Sequence, residues 1–173
     1  NACISGVLSI IIAKRLLKAG KCKHAVITGA DVLSKFIISG FQSLNAMSKN
    51  PCKPFDKNRD GINLGECAAT IVLTTEKSLS KNILVNGGAS TNDANHISGP
   101  SRTGAELSFA VTSAMQQSHV VANDLSFISA HGTATLFNDE MEAKAFSSAL
   151  LSEIPLHSLK ANFGHTLGAA GVL

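Results

Sequence analysis

The chain has 173 residues, 45% of them hydrophobic and 16% charged, with a formal net charge of +3. These proportions point to a folded domain with a real core and exclude disorder, and no apolar run is long enough to span a bilayer. A mild positive charge with neither Trp nor Tyr offers no basis for nucleic-acid binding by charge or by base stacking.

The opening stretch, Asn1-Ala2-Cys3-Ile4-Ser5-Gly6, runs into an apolar segment over 7–13, then Lys14-Arg15-Leu16-Leu17 and Gly20. This predicts a helix over 4–19 with a glycine stop. Because Leu and Ile fall almost all round it, the helix should be buried. Cys3 would sit at its first turn, facing unpaired N–H groups and the positive end of the dipole, both of which favour the nucleophilic thiolate. Position alone favours the plainer reading of a small core cysteine. An apolar helix at residue 4 normally follows a strand, and there is no initiator Met, so the chain is expected to be a piece of a longer protein.

Residues 24–31 predict a short buried strand. Residues 33–47 predict a short helix and a loop, with Phe36, Ile38 and Phe41 as candidates to line an apolar pocket. A polar stretch with Pro51 and Pro54 ends in the turn Asp60-Gly61. Residues 65–74 then read as a central strand, with a hairpin between about 62 and 75. The polar connection over 77–82 is the best internal boundary. A new strand follows over 83–90, then a loop over 91–102 and a helix through Leu107, Val111 and Met115, capped by Ser101 or Thr103. Residues 125–130 predict a strand leading into His131, Asp139 opens a helix, 156–159 form a strand ahead of Lys160 and His165, and 166–173 form a small-residue helix. The alternation implies an α/β layered fold. Ligands in such sheets sit beyond the carboxyl ends of strands, which places Cys3, His131 and the Lys160/His165 pair where chemistry is expected.

The four cysteines, Cys3, Cys22, Cys52 and Cys67, follow no paired spacing, which implies reduced thiols in a cytosolic compartment. Cys22 and His24 lack a second ligand pair, so no metal site is expected. His24, His96, His119 and His157 read as structural. Lys14, Arg15, Lys18, Lys21 and Lys23 cluster near the end of the first helix, and Lys49, Lys53, Lys57 and Arg59 share a loop. Ordinary solvated surface is the simpler reading; a docking face for an acidic protein is the sharper one.

Four stretches together resemble the β-ketoacyl-acyl-carrier-protein synthases of type I/II, among the thiolase-like condensing enzymes. They are Ala2-Cys3-Ile4-Ser5-Gly6; Pro54-Phe55-Asp56-Lys57-Asn58-Arg59-Asp60-Gly61 with Leu64-Gly65-Glu66; Ala130-His131-Gly132-Thr133-Ala134-Thr135 with Asn138-Asp139; and Lys160-Ala161-Asn162-Phe163-Gly164-His165-Thr166-Leu167-Gly168-Ala169-Ala170-Gly171. They run the length of the chain in the family's order. One departure is Cys67, which stands where the family usually has Gly.

The resemblance implies an α/β, thiolase-like, layered α-β-α architecture, incomplete here. Residues 1–80 would be the C-terminal part of the first half and 81–173 most of the second. It implies decarboxylative condensation, with Cys3 taking the acyl group and His131 and His165 as donors to the malonyl carbonyl oxygen. Lys160 would set the electrostatics, paired with Glu142, and Thr133 and Thr135 would hold the phosphopantetheine arm. No metal or cofactor is implied. The partners implied are acyl carrier protein and a second copy of the chain, the latter near residues 24–31; neither nucleic acid nor membrane is expected. The chain alone should be inactive. A degradative thiolase needs a second cysteine in the C-terminal half, and none follows Cys67. A non-catalytic chain-length partner would lack the nucleophile. Type III synthases carry Asn in place of His165, and a Cys-His hydrolase explains neither Lys160 nor the second histidine.

Overall fold

The computed structural model describes residues 2–80, 83–96 and 99–173. Lys81 and Asn82 of the expected boundary, and Ile97 and Ser98 of the 91–102 loop, lie outside these. The elements run α1 (Ser5–Lys18), β1 (His24–Asp31), α2 (Lys35–Ser43), β2 (Cys67–Thr74), α3 (Ala105–Ser118), β3 (Ile128–Ser129), α4 (Leu136–Ser148), β4 (Leu156–His157) and α5 (Lys160–Phe163). Short 3-10 turns at Ala2–Ile4 and Leu167–Gly171 frame the chain.

β1 and β2 pair antiparallel, from His24 opposite Thr74 to Asp31 opposite Cys67. The expected hairpin over 62–75 is therefore corrected: β2 finds its partner upstream in β1. Both strands alternate in burial rather than being buried on both faces. Ala25, Ile27, Ala69, Ile71 and Leu73 pack with Ile10, Ala13 and Val172 into one core, while Val26 and Val72, opposite each other, face outward. β3 and β4 pair in parallel. Ala130, Phe146 and Leu151 form a second core beside them, with Val111 and Met115 from α3.

Several expectations shift. α1 buries Gly6, Ala13 and Leu17 on one stripe and Ile11 on another face, against Gly88, and Ile4, Val7, Ile12 and Leu16 are each close to half exposed. Residues 83–90 form no ladder; their glycines press on helices instead, Gly88 on Ile11 and Gly87 on Ala114 and Ser118. The strand over 125–130 shrinks to two residues, as does that over 156–159. α4 starts at Leu136, ahead of Asp139, and the small-residue helix over 166–173 is a 3-10 turn. α2 has no fully buried residue: Phe36 is 88% exposed, while Ile38 and Phe41 are half-buried. No described helix is long and apolar enough to cross a membrane.

The 3-10 turn Leu167–Gly171 lies against both α1 and β1, and glycines permit the approach. A Cβ at Gly6 would stand 2.8 Å from the Gly168 carbonyl oxygen, one at Gly171 2.5 Å from the Val7 nitrogen, and one at Gly29 3.0 Å from Ala169 Cα. Backbone meets backbone at each contact. This brings the turn after His165 onto the turn that carries Cys3.

Candidate active site

Cys3 lies in the 3-10 turn ahead of α1, not in the helix's own first turn. Ala2, just before it, has φ of 34°. Burial pushes the Cys3 thiol above its ordinary value; Lys160 pulls the other way and Asp31 adds to the rise. This corrects the expected bias toward thiolate. Loss of hydration outweighs the helix end, whose influence falls off within a turn.

The Cys3 sulfur and one nitrogen from each of the His131 and His165 rings lie within 4.8 Å of one another. The two rings meet edge to face, centroids 5.1 Å apart at 86°. His165 is 1% exposed. Its backbone is threaded onto residues 63–65: His165 N–H donates to Asn63 O at 2.7 Å and Gly65 N–H to His165 O at 3.0 Å. Its Nδ1 accepts from the Leu167 N–H at 3.1 Å. A neutral ring that accepts at Nδ1 carries its proton on Nε2. That Nε2 is buried and has no partner, so it is a donor held ready within the site.

Burial, then the charges of His131 and Lys160, lower His165 to about 3. Burial and Lys160 lower His131 to about 4. The His131 residue is open to solvent at the rim although its ring loses hydration, so the neutral state of enclosed His165 is the more firmly held. Both rings are uncharged at neutral pH. One thiol and two imidazoles match a metal's ligand set. A ligating histidine, however, donates its other ring N–H to an acceptor, whereas His165 Nδ1 receives a donor. The cluster does not fit a metal.

Lys160 and Glu142, both buried, do not meet as the expected pair. Lys160 Nζ donates to the His131 carbonyl oxygen at 2.6 Å. Glu142 accepts from His131 N–H at 2.8 Å and from Gly132 N–H at 2.6 Å. Each grips the His131 backbone from its own side. Burial lowers Lys160 and raises Glu142, each partly offset by the other's charge. Thr133 and Thr135 hydroxyls bond each other at 2.8 Å, and Asn138 donates to Thr135.

Residues 83–173 match the β-ketoacyl synthase C-terminal domain and residues 1–78 the β-ketoacyl synthase N-terminal domain. The chain belongs to the β-ketoacyl synthase family. Over its whole length it is 32% identical to the tetracenomycin polyketide synthase ketoacyl synthase alpha subunit of Streptomyces glaucescens, covering 44% of that protein. It is 31% identical to 3-oxoacyl-[acyl-carrier-protein] synthase 2 of Mycobacterium leprae, again over the whole chain and 44% of the relative. A ketosynthase from Xenorhabdus doucetiae, solved in complex with its chain length factor, superposes with a TM-score of 0.92 at 37% identity, covering 99% of this chain and 42% of that one. The α/β thiolase-like architecture expected from the sequence is thus shown. The chain spans less than half the length of these β-ketoacyl synthases.

Sequence reasoning missed three supports of this β-ketoacyl synthase site. Ser158 Oγ donates to the Gly132 carbonyl at 2.9 Å. Cys52 Sγ–H donates to Lys160 O at 3.0 Å. Asp31 Oδ2 accepts from Gly168 N–H at 2.7 Å. Asp31 alone carried a signal, as a carboxylate at the carboxyl end of a strand.

Proposed function

We propose that the intact protein carries out decarboxylative Claisen condensation of an acyl thioester with a malonyl thioester in fatty-acid or polyketide chain elongation. The unpartnered, proton-bearing Nε2 of His165, on a ring that is clustered with the Cys3 sulfur, is the observation that carries this reading.

The Cys3 thiol, losing its proton, attacks an acyl thioester; the carrier thiol leaves and takes up a proton. The malonyl thioester then loses carbon dioxide, and the electron pair of the broken bond forms an enolate. Its oxygen collects charge where His165 Nε2–H and the His131 ring can donate, and a donor of this kind is worth about 3 kcal/mol in comparable sites. The enolate carbon attacks the acyl-Cys3 carbonyl, and the Cys3 thiolate is expelled. Lys160 fixes the His131 carbonyl and supplies positive charge near the sulfur. Thr133 and Thr135 would contact the phosphopantetheine arm. The reading needs no metal or cofactor beyond that arm.

Residues 1–80 and 81–173 are taken as parts of the two halves of the enzyme. Acyl carrier protein as partner draws support from the name of the mycobacterial relative. A homodimer and a cytoplasmic setting suited to four free cysteines complete the proposal. A non-catalytic chain-length partner is disfavoured because Cys3 is present and clustered with both histidines.

In the intact protein, an acyl-carrier thioester should leave its acyl group on Cys3 ahead of Cys22, Cys52 and Cys67. Malonyl-carrier decarboxylation should survive Cys3→Gln and fail in His131→Ala. Equal acylation of all four thiols, or normal decarboxylation by His131→Ala, would sink the reading.

A further inference from the structure

Asp31 ends β1, and the β1–β2 ladder fixes its backbone opposite Cys67. It is half-buried on the sheet's inner side, next to the 3-10 turn Leu167–Gly171. Its Oδ2 accepts from the Gly168 N–H, three residues beyond His165. Ser5, two residues beyond Cys3, closes on the same glycine: a Cβ at Gly168 would stand 2.9 Å from both Asp31 Oδ2 and Ser5 Oγ. The sheet, the Cys3 turn and the His165 turn therefore meet at a single backbone amide.

We propose that Asp31 is a positioning residue that sets the spacing between the Cys3 sulfur and the His165 ring. The proposal deepens the condensing-enzyme reading and rests on it. A carboxylate–amide bond is stronger than a neutral one and is mounted here on a paired strand. The turn also rests on the sheet through the contact of Gly29 with Ala169 and through Val172, which packs on Ile27, but these are non-directional contacts, whereas the Asp31 bond fixes the position of one amide. Without Asp31, the core under Val172 still holds the turn to the sheet, but the Gly168 amide loses its anchor and the turn can shift relative to Cys3.

The anchor brings a charge with it. The charged and titratable groups facing Cys3 are Lys160 from α5, Asp31 from β1, His131 from the loop after β3, and His165. Both rings are neutral near pH 7, so Asp31 and Lys160 are the two fixed charges, and Asp31 opposes the thiolate. A residue that served stability alone would have no reason to move the pH at which Cys3 reacts.

The test uses the intact protein with two variants. Asp31→Asn keeps an oxygen acceptor for Gly168 and removes the charge; Asp31→Ala removes both. Alkylation of Cys3 by iodoacetamide is followed against pH by mass spectrometry, alongside malonyl-carrier decarboxylation. In Asp31→Asn the alkylation midpoint should move to lower pH. In Asp31→Ala it should move the same way, and decarboxylation should fall by about 100-fold, the scale of a misplacement near 1 Å. Wild-type decarboxylation by Asp31→Ala, or a loss in Asp31→Asn as large as in Asp31→Ala, overturns the role. If an acyl-carrier thioester does not acylate wild-type Cys3 ahead of the other thiols, the reading of the site fails, and this role with it.

Discussion

Gly6 sits in the first turn of α1, where Ala would ordinarily be the better helix former by about 1 kcal/mol. Here the sign should reverse. A Cβ at Gly6 would lie 2.8 Å from the Gly168 oxygen and 3.1 Å from the Gly171 carbonyl carbon, both backbone atoms, and 2.9 Å from a Val172 methyl. Ordinary contact begins near 3.4 Å, so the 3-10 turn must retreat by about 0.6 Å. Overpacking of this kind costs about 1–3 kcal/mol, which more than cancels the propensity gain and leaves Gly6→Ala destabilised by up to about 2 kcal/mol. The retreat also pulls His165 away from Cys3. A misplacement of about 1 Å can cost about 100-fold, so a loss in decarboxylation on the order of tenfold follows. Gly40→Ala is the control: Gly40 lies within α2 and a Cβ there meets nothing within 4 Å, so this variant should gain up to about 1 kcal/mol. Denaturant midpoints at constant slope, with malonyl-carrier decarboxylation, measure both. A Gly6→Ala protein as stable and as active as wild type would show that the turn is not held by glycine contact.

Glu142→Ala leaves the N–H groups of His131 and Gly132 without their acceptor. At about 1–3 kcal/mol per buried group, it should lower the denaturant midpoint more than Glu142→Gln, which keeps an oxygen. Ser158→Ala removes the donor to the Gly132 carbonyl and should lose about 1–3 kcal/mol in the same titration. The histidines set an acid limit. An unfolded chain binds protons on them near pH 6.5, while the folded protein resists until about 4 at His131 and about 3 at His165. The unfolded state thus holds more protons in that window, and stability should fall as pH drops from 6.5 toward 3. Asp139 and Glu142, whose carboxyls burial pushes up, act in the opposite sense just above their ordinary values. His165→Gln should therefore flatten the acid slope without erasing it, as read from thermal midpoints across pH.

Local signals in the sequence were enough for some elements and misleading for others. β1 was legible to the residue because an apolar run is bounded by charge on one side and by Asp31 on the other. Its one-sidedness was not, since Val26 reads as core and is exposed only because nothing among the described residues covers that face of the sheet. The hairpin over 62–75 failed for a similar reason. A turn signal at Asp60-Gly61 says that the chain bends, not which strand it will pair with, and β1 was the available partner. The gathering of Cys3 with His165 depends on glycine-to-glycine contact between segments at opposite ends of the chain, and that of His131 on Lys160 and Glu142, which no periodicity encodes. It came from the resemblance of four motifs.

The two electrostatic expectations that failed did so through geometry that spacing does not carry. The dipole argument for Cys3 assumed a sulfur at the mouth of α1; a 3-10 turn stands between them, and burial then decides the sign. Lys160 and Glu142 carry opposite charges and both reach the same place, so pairing was the natural inference. Each instead takes one polar group of the His131 peptide, the lysine its neighbour-facing carbonyl and the glutamate its N–H. A direct ion pair would satisfy two charges and leave that peptide to find other partners. The observed arrangement places both charges in the service of one histidine's backbone, while Leu167 fixes the ring tautomer of the other. In both cases main-chain groups carry the orientation, which is why substitutions that spare every reacting atom, at Gly6 or Glu142, should still register at the site.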